Sequence, residues 1–529
     1  HLTCLRIAAT DTPAFLYALS TALALEGLSI ERVRIGGGEQ SVEDELYVVD
    51  QRGQPITSDR AIEQLRFTVL LTKQFTYQLN HAPDPFKALS RFEQMAEDIF
   101  KLPEREQWEQ MLSNPRAMEK LAKLLGASDY LWEDFIRVQY EALRPALRAA
   151  MQTGSVARPT ETIPRRLEKA LDGAVGLAEQ QDRLNQFKDR ELFRIDLDHI
   201  LRPQASFREL SEQLTFLAET LVRKAAELVF ADLVKSYGEP RDNKGEPVGY
   251  AIFGLGKLGG MALGYASDIE LLFVYGGYGR TTGGKREATD NAEFFELFAR
   301  ETSQFMRTKQ EGIFRVDLRL RPYGKEAPLA CTFDAIEKYY GPGGEAHPFE
   351  KLALVRMRWI AGDYELGANV EWLRDRVVYE GDPIDLDAIW EIGQKQFDQR
   401  NEPGRLNAKY SPGALVDLET TVMLMQVAHA RQVPQLRTPR LTDALDALHR
   451  AGALPADDYA QLTGAYRFLR RLINALRMLR GSAVDLFLPP NDDDEAVHLA
   501  RRMGYESGGD LPADHLYRDF HFHTANVRR

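Results

Sequence analysis

The spacing between a glycine-rich turn and the strand after it constrains this 529-residue chain more than any other feature. The segment GLGKLGG at 254–260 follows a predicted strand and matches the GxGxxG pattern of dinucleotide-binding folds. Such folds need a full helix before the next parallel strand, within a unit of roughly thirty residues. Here the next predicted strand begins near Asp268, which leaves room for only one or two helical turns. The spacing therefore argues against a dinucleotide site, and Leu258 after Lys257 excludes a Walker phosphate loop.

Three acidic residues lie on two predicted strands that follow this turn. Asp268 and Glu270 open the segment DIELLFVY, and side-chain alternation places them on one face, about 7 Å apart, with Ile269, Leu271 and Phe273 facing a core. Asp317 lies in IFRVDLRL, predicted as a strand with Asp317 on the same face as Arg315, Arg319 and Arg321. If the two strands pair, three carboxylates converge, and they repel one another unless cations lie between them. This pattern predicts a site for two Mg²⁺ ions, with ATP or a similar triphosphate as substrate.

Further residues are predicted to contact the nucleotide. Gly259 and Gly260 would let backbone amides approach phosphate without side-chain obstruction, and Ser267 precedes the first acid. The guanidinium groups of Arg319 and Arg321 would line the rim where phosphate oxygens lie. The sequence leaves open the roles of two positively charged side chains. Lys257 either contacts phosphate or forms a surface salt bridge, and Arg315 fits a surface ion pair better than a ligand contact.

Composition limits the partners that this chain can take. The net charge of −12 disfavours a nucleic-acid partner, because a duplex-binding surface needs concentrated positive charge. No stretch of eighteen apolar residues exists, so no membrane-spanning segment is expected. The two cysteines, Cys4 and Cys331, rule out a disulfide scaffold and a cysteine-rich zinc site, which suits a cytoplasmic protein.

Periodicity predicts an α+β chain that is predominantly helical and has four parts. Residues 1–78 alternate strand and helix in a βαββα order, and residues 85–205 form a helical domain. Residues 206–370 hold the acids within strands and helices, and residues 371–529 form a C-terminal helical bundle. The glycine-containing segments 237–247 and 276–289 are predicted as loops. In the bundle, Glu419 is assigned to helix-dipole stabilisation beside the cleft, and an arginine stripe to a solvated face or an acidic partner: Arg470, Arg471, Arg477 and Arg480.

The same segments carry a family resemblance. The segments YAIFGLGKLGGMALGYASDIELLFVY, FRVDLRLRPYGKEAPLA and EKLALVRMRWIAGD resemble one catalytic half of a glutamine synthetase adenylyltransferase. The segments LLGASDYLWEDFI, SPGALVDLE and AYRFLRRLINALRMLRG are also similar, so the resemblance runs from about residue 90 to the end. It implies a DNA polymerase beta-like nucleotidyltransferase core flanked by helical domains. The family's metal-binding acids fall on Asp268, Glu270 and Asp317, although the family usually has Asp at the position of Glu270.

The resemblance implies an enzyme that moves AMP between ATP and a tyrosine hydroxyl of glutamine synthetase, in either direction, and so regulates nitrogen assimilation. Residues 1–78 resemble an ACT module, a small regulatory domain that often binds an amino-acid effector, as in the uridylyltransferase of the PII signal protein. A generic α+β module that serves only for contacts is the alternative for this segment. For the whole chain, two alternatives stay open: uridylyl transfer to a PII-type signalling protein, and a non-catalytic amino-acid sensor whose other domains act as a scaffold.

Overall fold

The computed structural model describes the chain except for residues 1, 13, 39–40, 101–102, 137–139, 154, 157, 203–204, 308–313, 482–483 and 506–510. The chain divides into two compact units. The first comprises His1–Ala157 and Asp196–Pro203, and the second comprises Arg158–Ile195 and Gln204–Arg529. No helix in the described part of the chain is long and apolar enough to cross a membrane.

The first unit begins with a small sheet and continues as helices. In chain order its elements are β1 (Thr3–Thr10), α1 (Phe15–Leu25), β2 (Ser29–Arg34), β3 (Gly37–Gly38), β4 (Ser41–Val49), α2 (Asp59–Gln78), α3 (Pro85–Phe100), α4 (Arg105–Leu112), α5 (Pro115–Leu125), α6 (Asp129–Leu131) and α7 (Tyr140–Thr153). A 3-10 turn covers Leu79–His81, and a π-helical turn covers Trp132–Ile136.

The sheet of the first unit has the order β1-β4-β2, and both pairings are antiparallel. The short β3 only extends the hairpin into β4. Helices α1 and α2 complete the element order β-α-β-β-α, apart from that short strand, as the sequence predicts for residues 1–78. A separate apolar core lies beneath this sheet and includes Phe15, Leu19, Leu23, Leu46 and Val48. The assignment of this segment as an ACT module stays a prediction.

The second unit holds the predicted acids. Its elements are α8 (Ile163–Leu171), α9 (Gly176–Leu201, whose last turns count with the first unit), α10 (Phe207–Tyr237), β5 (Gly238–Asp242), β6 (Tyr250–Gly254), α11 (Gly256–Gly259), β7 (Ile269–Tyr275), β8 (Gly279–Gly283), α12 (Asn291–Phe305), β9 (Val316–Asp317), β10 (Ala330–Thr332), α13 (Phe333–Tyr340), α14 (Pro348–Ala353), β11 (Arg358–Gly362), α15 (Tyr364–Tyr379), α16 (Leu386–Arg400), α17 (Leu415–His429), α18 (Leu441–Arg450), α19 (Ala456–Arg480), α20 (Asp494–Arg502) and α21 (Pro512–Arg528). Short 3-10 turns cover Thr160–Thr162, Gly324–Glu326, Leu354–Arg356 and Pro434–Leu436.

A five-stranded mixed sheet forms the centre of the second unit. Its main path has the order β10-β7-β6-β11, and β9 pairs with β7. Alternation along β7 sends Ile269, Leu271 and Phe273 into a core with α10 and α12, as predicted. Leu272 and Val274 face the opposite way, into a core that includes side chains of α17, α18 and α19. The C-terminal helices therefore pack on the sheet face to which Glu270 also belongs.

Three local predictions were wrong. The segments 237–247 and 276–289 do not form loops throughout, because β5 and β8 pair as a two-stranded antiparallel sheet. Their glycine-rich composition hides this pairing, since strand preference depends on cross-strand partners more than on single residues. Of the strand predicted over 313–320, residue 313 lies outside the described residues, and within 314–320 only the two residues of β9 form a strand. There the side chain of Asp317 accepts a hydrogen bond from the backbone N–H of Arg319 at 2.9 Å, which turns the chain.

Candidate active site

Strand pairing brings the predicted acids together. Strands β7 and β9 run parallel, and Glu270 lies directly opposite Asp317 in the register. Neighbouring strands lie about 4.8 Å apart, so these two residues are adjacent. Asp268 precedes β7 on the same side, and the backbone N–H of Ile269 donates to the carbonyl oxygen of Arg315 at 2.9 Å. The local geometry therefore matches the convergence that the sequence predicts for Glu270 and Asp317.

Two exposed arginines pair with these acids on the solvent side. A guanidinium nitrogen of Arg315 lies 3.4 Å from a carboxylate oxygen of Asp268. Arg319 contacts both oxygens of Asp317 through its Nε atom, at 2.8 and 3.0 Å. The hydrogen bond with Asp317 raises the pKa of Arg319, and the charges of Asp268 and Glu270 raise it further. One guanidinium therefore lies within electrostatic reach of all three carboxylates.

The carboxylates differ in their electrostatic setting. Burial raises the pKa of Glu270, and the neighbouring Asp317 carboxylate adds to that rise, while Lys257 opposes it. Burial also acts against the ionised form of Asp317, but the hydrogen bonds from Arg319 outweigh it and lower the pKa of Asp317. Asp317 is therefore held as an anion by an exposed arginine, whereas the side chain of Glu270 forms no hydrogen bond or ion pair within the described part of the chain.

The glycine-rich turn fits closely around the acids and the next strand. Gly256 has φ of +50°, and a Cβ atom there would lie 1.5 Å from Oε2 of Glu270. A Cβ atom at Gly259 would lie 1.8 Å from the carbonyl oxygen of Arg356. The amide groups of Gly259 and Gly260 donate to the carbonyl oxygens of Leu255 and Gly256, both at 3.0 Å. The glycines are thus required by packing, and these contacts give no support to the predicted approach of their amides to phosphate.

The remaining predicted nucleotide contacts have other partners. Ser267 is fully buried, and its hydroxyl accepts from the backbone N–H of Gly264 at 3.1 Å. Arg321 is buried, and its guanidinium donates to the carbonyl oxygens of Leu318, Lys325 and Ala327 at 2.6 to 3.1 Å. Nucleotide contact by Ser267 and Arg321 stays a prediction, and these hydrogen bonds do not support it.

Lys257 lies partly buried beside Glu270 rather than in a surface salt bridge. Burial lowers the pKa of its ammonium group well below the ordinary value, and the nearby cations Arg477, Lys409 and Arg470 lower it further. The charge of Glu270 acts in the opposite direction. The ammonium group therefore lies in a cation-rich environment that an incoming polyanion would relieve.

The C-terminal helices contribute to a buried charge cluster that was not predicted from the sequence. Arg356 donates to Glu419 of α17 at 3.1 Å, and Arg470 of α19 lies 3.8 Å from the same carboxylate. The predicted solvated arginine face is wrong for Arg470 and Arg477, which are only 4% and 6% exposed. A signal was present, because apolar residues surround these arginines on all sides of α19, and such a helix is normally buried.

The donor set fits a hard divalent cation. All three predicted ligands are carboxylates, which Mg²⁺ prefers. Oδ1 of Asp268 is buried and makes no hydrogen bond within the described part of the chain. A buried carboxylate oxygen without a partner is costly, and a cation would satisfy it. Among the described residues, no three His, Cys, Asp or Glu side chains converge closely enough to hold a metal as they stand. Two of the three predicted ligands, Asp268 and Asp317, form ion pairs with Arg315 and Arg319.

Two family models match parts of this chain. Residues 118–372, which include all three acids, match the model of the glutamate-ammonia ligase adenylyltransferase family. We call these residues the adenylyltransferase-type region, after the family that they resemble. The resemblance stated from the sequence is thereby confirmed. Residues 392–529 match a second model, that of the GlnD PII-uridylyltransferase, so the bundle that contains α17 and α19 resembles a related group of enzymes.

A curated relative has a similar sequence over most of this chain. The bifunctional glutamine synthetase adenylyltransferase/adenylyl-removing enzyme of Thioalkalivibrio sulfidiphilus (strain HL-EbGR7) is 31% identical over 364 residues. The alignment covers 67% of this chain and 37% of the relative. The chain therefore spans little more than a third of the length of this relative. Cys4 and Cys331 are both free cysteines in this structure.

Proposed function

We propose that the chain is a cytoplasmic, Mg²⁺-dependent nucleotidyltransferase that moves AMP between ATP and a tyrosine hydroxyl of glutamine synthetase. The observation that carries this proposal is the register that sets Glu270 against Asp317 beside Asp268, within the adenylyltransferase-type region. In this proposal the sheet of the second unit is a DNA polymerase beta-like core, and the helices after it complete the site.

The reaction is a substitution at the α-phosphorus of ATP. The tyrosine oxygen forms a bond to that phosphorus, the bond to the pyrophosphate oxygen breaks, and the hydroxyl proton is lost. Removal of AMP is a separate reaction at the same phosphorus: inorganic phosphate attacks it, the bond to the tyrosine oxygen breaks, that oxygen takes up a proton, and ADP leaves. The same carboxylates serve both directions, so the choice depends on the substrates supplied.

Asp268, Glu270 and Asp317 would hold the cations in this proposal. Bound Mg²⁺ would neutralise triphosphate charge and lower the pKa of the attacking hydroxyl. Arg319 is 61% exposed at its side chain, so its guanidinium can exchange Asp317 for a phosphate oxygen with little desolvation cost. Lys257 and the buried arginines behind Glu270 supply the positive field that favours a polyanion at this place.

The replacement Asp268→Asn tests the proposal. It removes a charged ligand and should lower the rate of AMP transfer by at least about a hundredfold. Mass spectrometry of glutamine synthetase, after incubation with ATP and then with phosphate, measures both directions. Asp382→Asn, which changes an exposed acid without a recorded contact, is the matched control and should transfer AMP like the wild type. Wild-type activity in Asp268→Asn would refute the site.

Uridylyl transfer to a PII-type signalling protein is a second candidate, because residues 392–529 match the PII-uridylyltransferase model. Parallel incubations with labelled ATP or UTP, each with glutamine synthetase and with a PII protein, separate the two reactions. Label on PII from UTP alone would favour the second candidate.

In both transferase proposals, the ACT-like module would bind an amino-acid effector. A third candidate is an amino-acid sensor without catalytic activity. Calorimetry distinguishes these possibilities: binding of an amino acid without any binding of Mg²⁺-ATP would favour the sensor.

A further inference from the structure

Helix α19 carries three buried polar side chains on one face. Arg470, Asn474 and Arg477 are spaced four and three residues apart, which places them on the same side of a helix. All three are at most 6% exposed. Burial of two guanidinium groups and an amide is costly unless each meets a specific partner. Their partners therefore show what this helix face is built to hold.

All three side chains bind the loop that leads into Asp268. Arg470 donates to the carbonyl oxygen of Ala262. The side-chain oxygen of Asn474 accepts the backbone N–H of Tyr265 at 2.8 Å. Arg477 donates to the carbonyl oxygen of Tyr265 at 3.1 Å and to the hydroxyl of Ser267 at 3.2 Å. The last of these contacts lies one residue before Asp268.

The loop itself adopts a backbone that needs such support. Met261 and Ala266 both have φ of +50°, a left-handed conformation that residues with a Cβ atom rarely adopt. Strained residues of this kind persist only when their surroundings hold them, and they cluster at functional sites. On its far side the loop is tied to the segment before β9, because the N–H of Phe314 donates to the carbonyl oxygen of Ser267 at 3.1 Å. The loop thus lies between α19 and the strand that carries Asp317.

From these contacts we infer that Arg470, Asn474 and Arg477 form an α19 clamp that positions Asp268 for nucleotidyl transfer. These are positioning residues, since their hydrogen bonds to this segment end on the loop and not on the acids. The inference rests on the proposed function and extends it: the C-terminal bundle would be part of the catalytic unit. A displacement of about 1 Å at Asp268 would lower the turnover rate up to about a hundredfold.

The replacement Asn474→Leu removes the acceptor of the Tyr265 amide while keeping a similar side-chain volume. We expect faster hydrogen exchange at Tyr265, measured by mass spectrometry or NMR on the full chain without nucleotide. We also expect kcat for AMP transfer to fall about ten- to a hundredfold, with KM for ATP changed less than about threefold. Arg467→Met, an exposed site on the same helix, is the matched control and should change neither quantity.

Arg477→Lys and Arg477→Met provide a second test, which also serves if Asn474→Leu does not fold. Lysine keeps a donor for one of the two acceptors, whereas methionine keeps none, so kcat should fall less in Arg477→Lys. Equal kcat values for the two variants would overturn the clamp, because a purely steric role does not distinguish them.

The outcomes separate the clamp from the proposed function. Unchanged exchange at Tyr265 in Asn474→Leu overturns the clamp, and so does faster exchange with unchanged kcat. A wild-type chain that transfers no nucleotide overturns the proposed function, and the positioning role falls with it. Faster exchange at Tyr265 would then still establish the contact between α19 and the loop.

Discussion

Two sets of arginines flank the acids, and they differ in what surrounds them. The outer arginines, Arg315 and Arg319, have side chains that are 46% and 61% exposed, and they pair with Asp268 and Asp317. The inner arginines are Arg356, Arg470 and Arg477, which are at most 8% exposed. The outer arginines bind the carboxylates of the site from exposed positions. The inner arginines bind backbone carbonyl oxygens and the buried Glu419.

This difference assigns separate tasks to the two sets. An exposed ion pair is worth about 1 kcal/mol or less, so a phosphate oxygen can replace the carboxylate at small cost. A buried arginine cannot leave its partner without stranding a charge in the interior. The outer arginines are therefore suited to exchange partners when a nucleotide binds, and the inner arginines are suited to hold the loops in place. The two sets should consequently respond differently to the same substitution.

Arg356→Met should have the largest effect on stability. It leaves Glu419 with the more distant cations Arg470 and Lys409, so we expect the free energy of unfolding to fall by about 3 kcal/mol. Urea denaturation of the full chain measures this change. Arg467→Met serves as the exposed control and should stay within about 0.5 kcal/mol of the wild type. A similarly small change in Arg356→Met would remove the distinction between the inner and outer sets.

Arg319→Met should have its effect on substrate binding instead. Loss of a charged donor to phosphate should reduce transition-state stabilisation by about 1.5–3 kcal/mol, which lowers kcat/KM for ATP roughly ten- to a hundredfold. The free energy of unfolding should fall by less than in Arg356→Met, because the side chain of Arg319 is 61% exposed, whereas that of Asp317 is 9% exposed. Steady-state kinetics and urea denaturation on one preparation give both values. An unfolding change as large as that of Arg356→Met would show that Arg319 is structural.

The inner arginines also lead us to expect that the free energy of unfolding depends on pH. Burial acts to raise the pKa of Glu419, but Arg356 and Arg470 outweigh it and hold the pKa below the ordinary value of 4.5. As the pH falls, the unfolded chain therefore takes up this proton before the folded chain does. The stabilisation by Glu419 is present above about pH 4.5 and is lost as the pH falls through the lowered pKa.

Glu419→Gln should accordingly flatten the decline of stability in acid. Thermal unfolding between pH 3 and pH 7 measures the slope, and Glu287→Gln, at an exposed acid, is the control. Equal slopes for Glu419→Gln and the wild type would mean that the arginines do not hold Glu419 ionised.

The outer side of the site could be predicted from the sequence because its signals are local. Alternation along DIELLFVY places Asp268 and Glu270 on one face without knowledge of any partner. The same argument overextended β9, since it cannot include the hydrogen bond from Arg319 to Asp317 that ends the strand. That bond depends on a side chain bonding to nearby backbone, which competes with strand pairing.

The inner side could not be predicted because its determinants are distant in the chain. Burial of Arg470 and Arg477 depends on a loop about 210 residues earlier that packs on α19. The pairing of β5 with β8 has the same character, since two glycine-rich segments become strands only beside each other. Arginine spacing alone cannot separate a solvated face from a clamp. Only the apolar residues on both sides of the stripe indicate burial.

Arg315→Met should have the smallest effect and is the sharpest test of the outer set. Arg315 lies 3.4 Å from Asp268, at the long end of a charged contact, and its side chain is 46% exposed. We expect changes below about 1 kcal/mol in both unfolding and kcat/KM, and the difference from the wild type should vanish near 1 M salt. Measurements at low and high salt decide this. A large, salt-independent loss of kcat would place Arg315 with the inner arginines. The distinction between outer and inner arginines would then not hold for the arginine that pairs with Asp268.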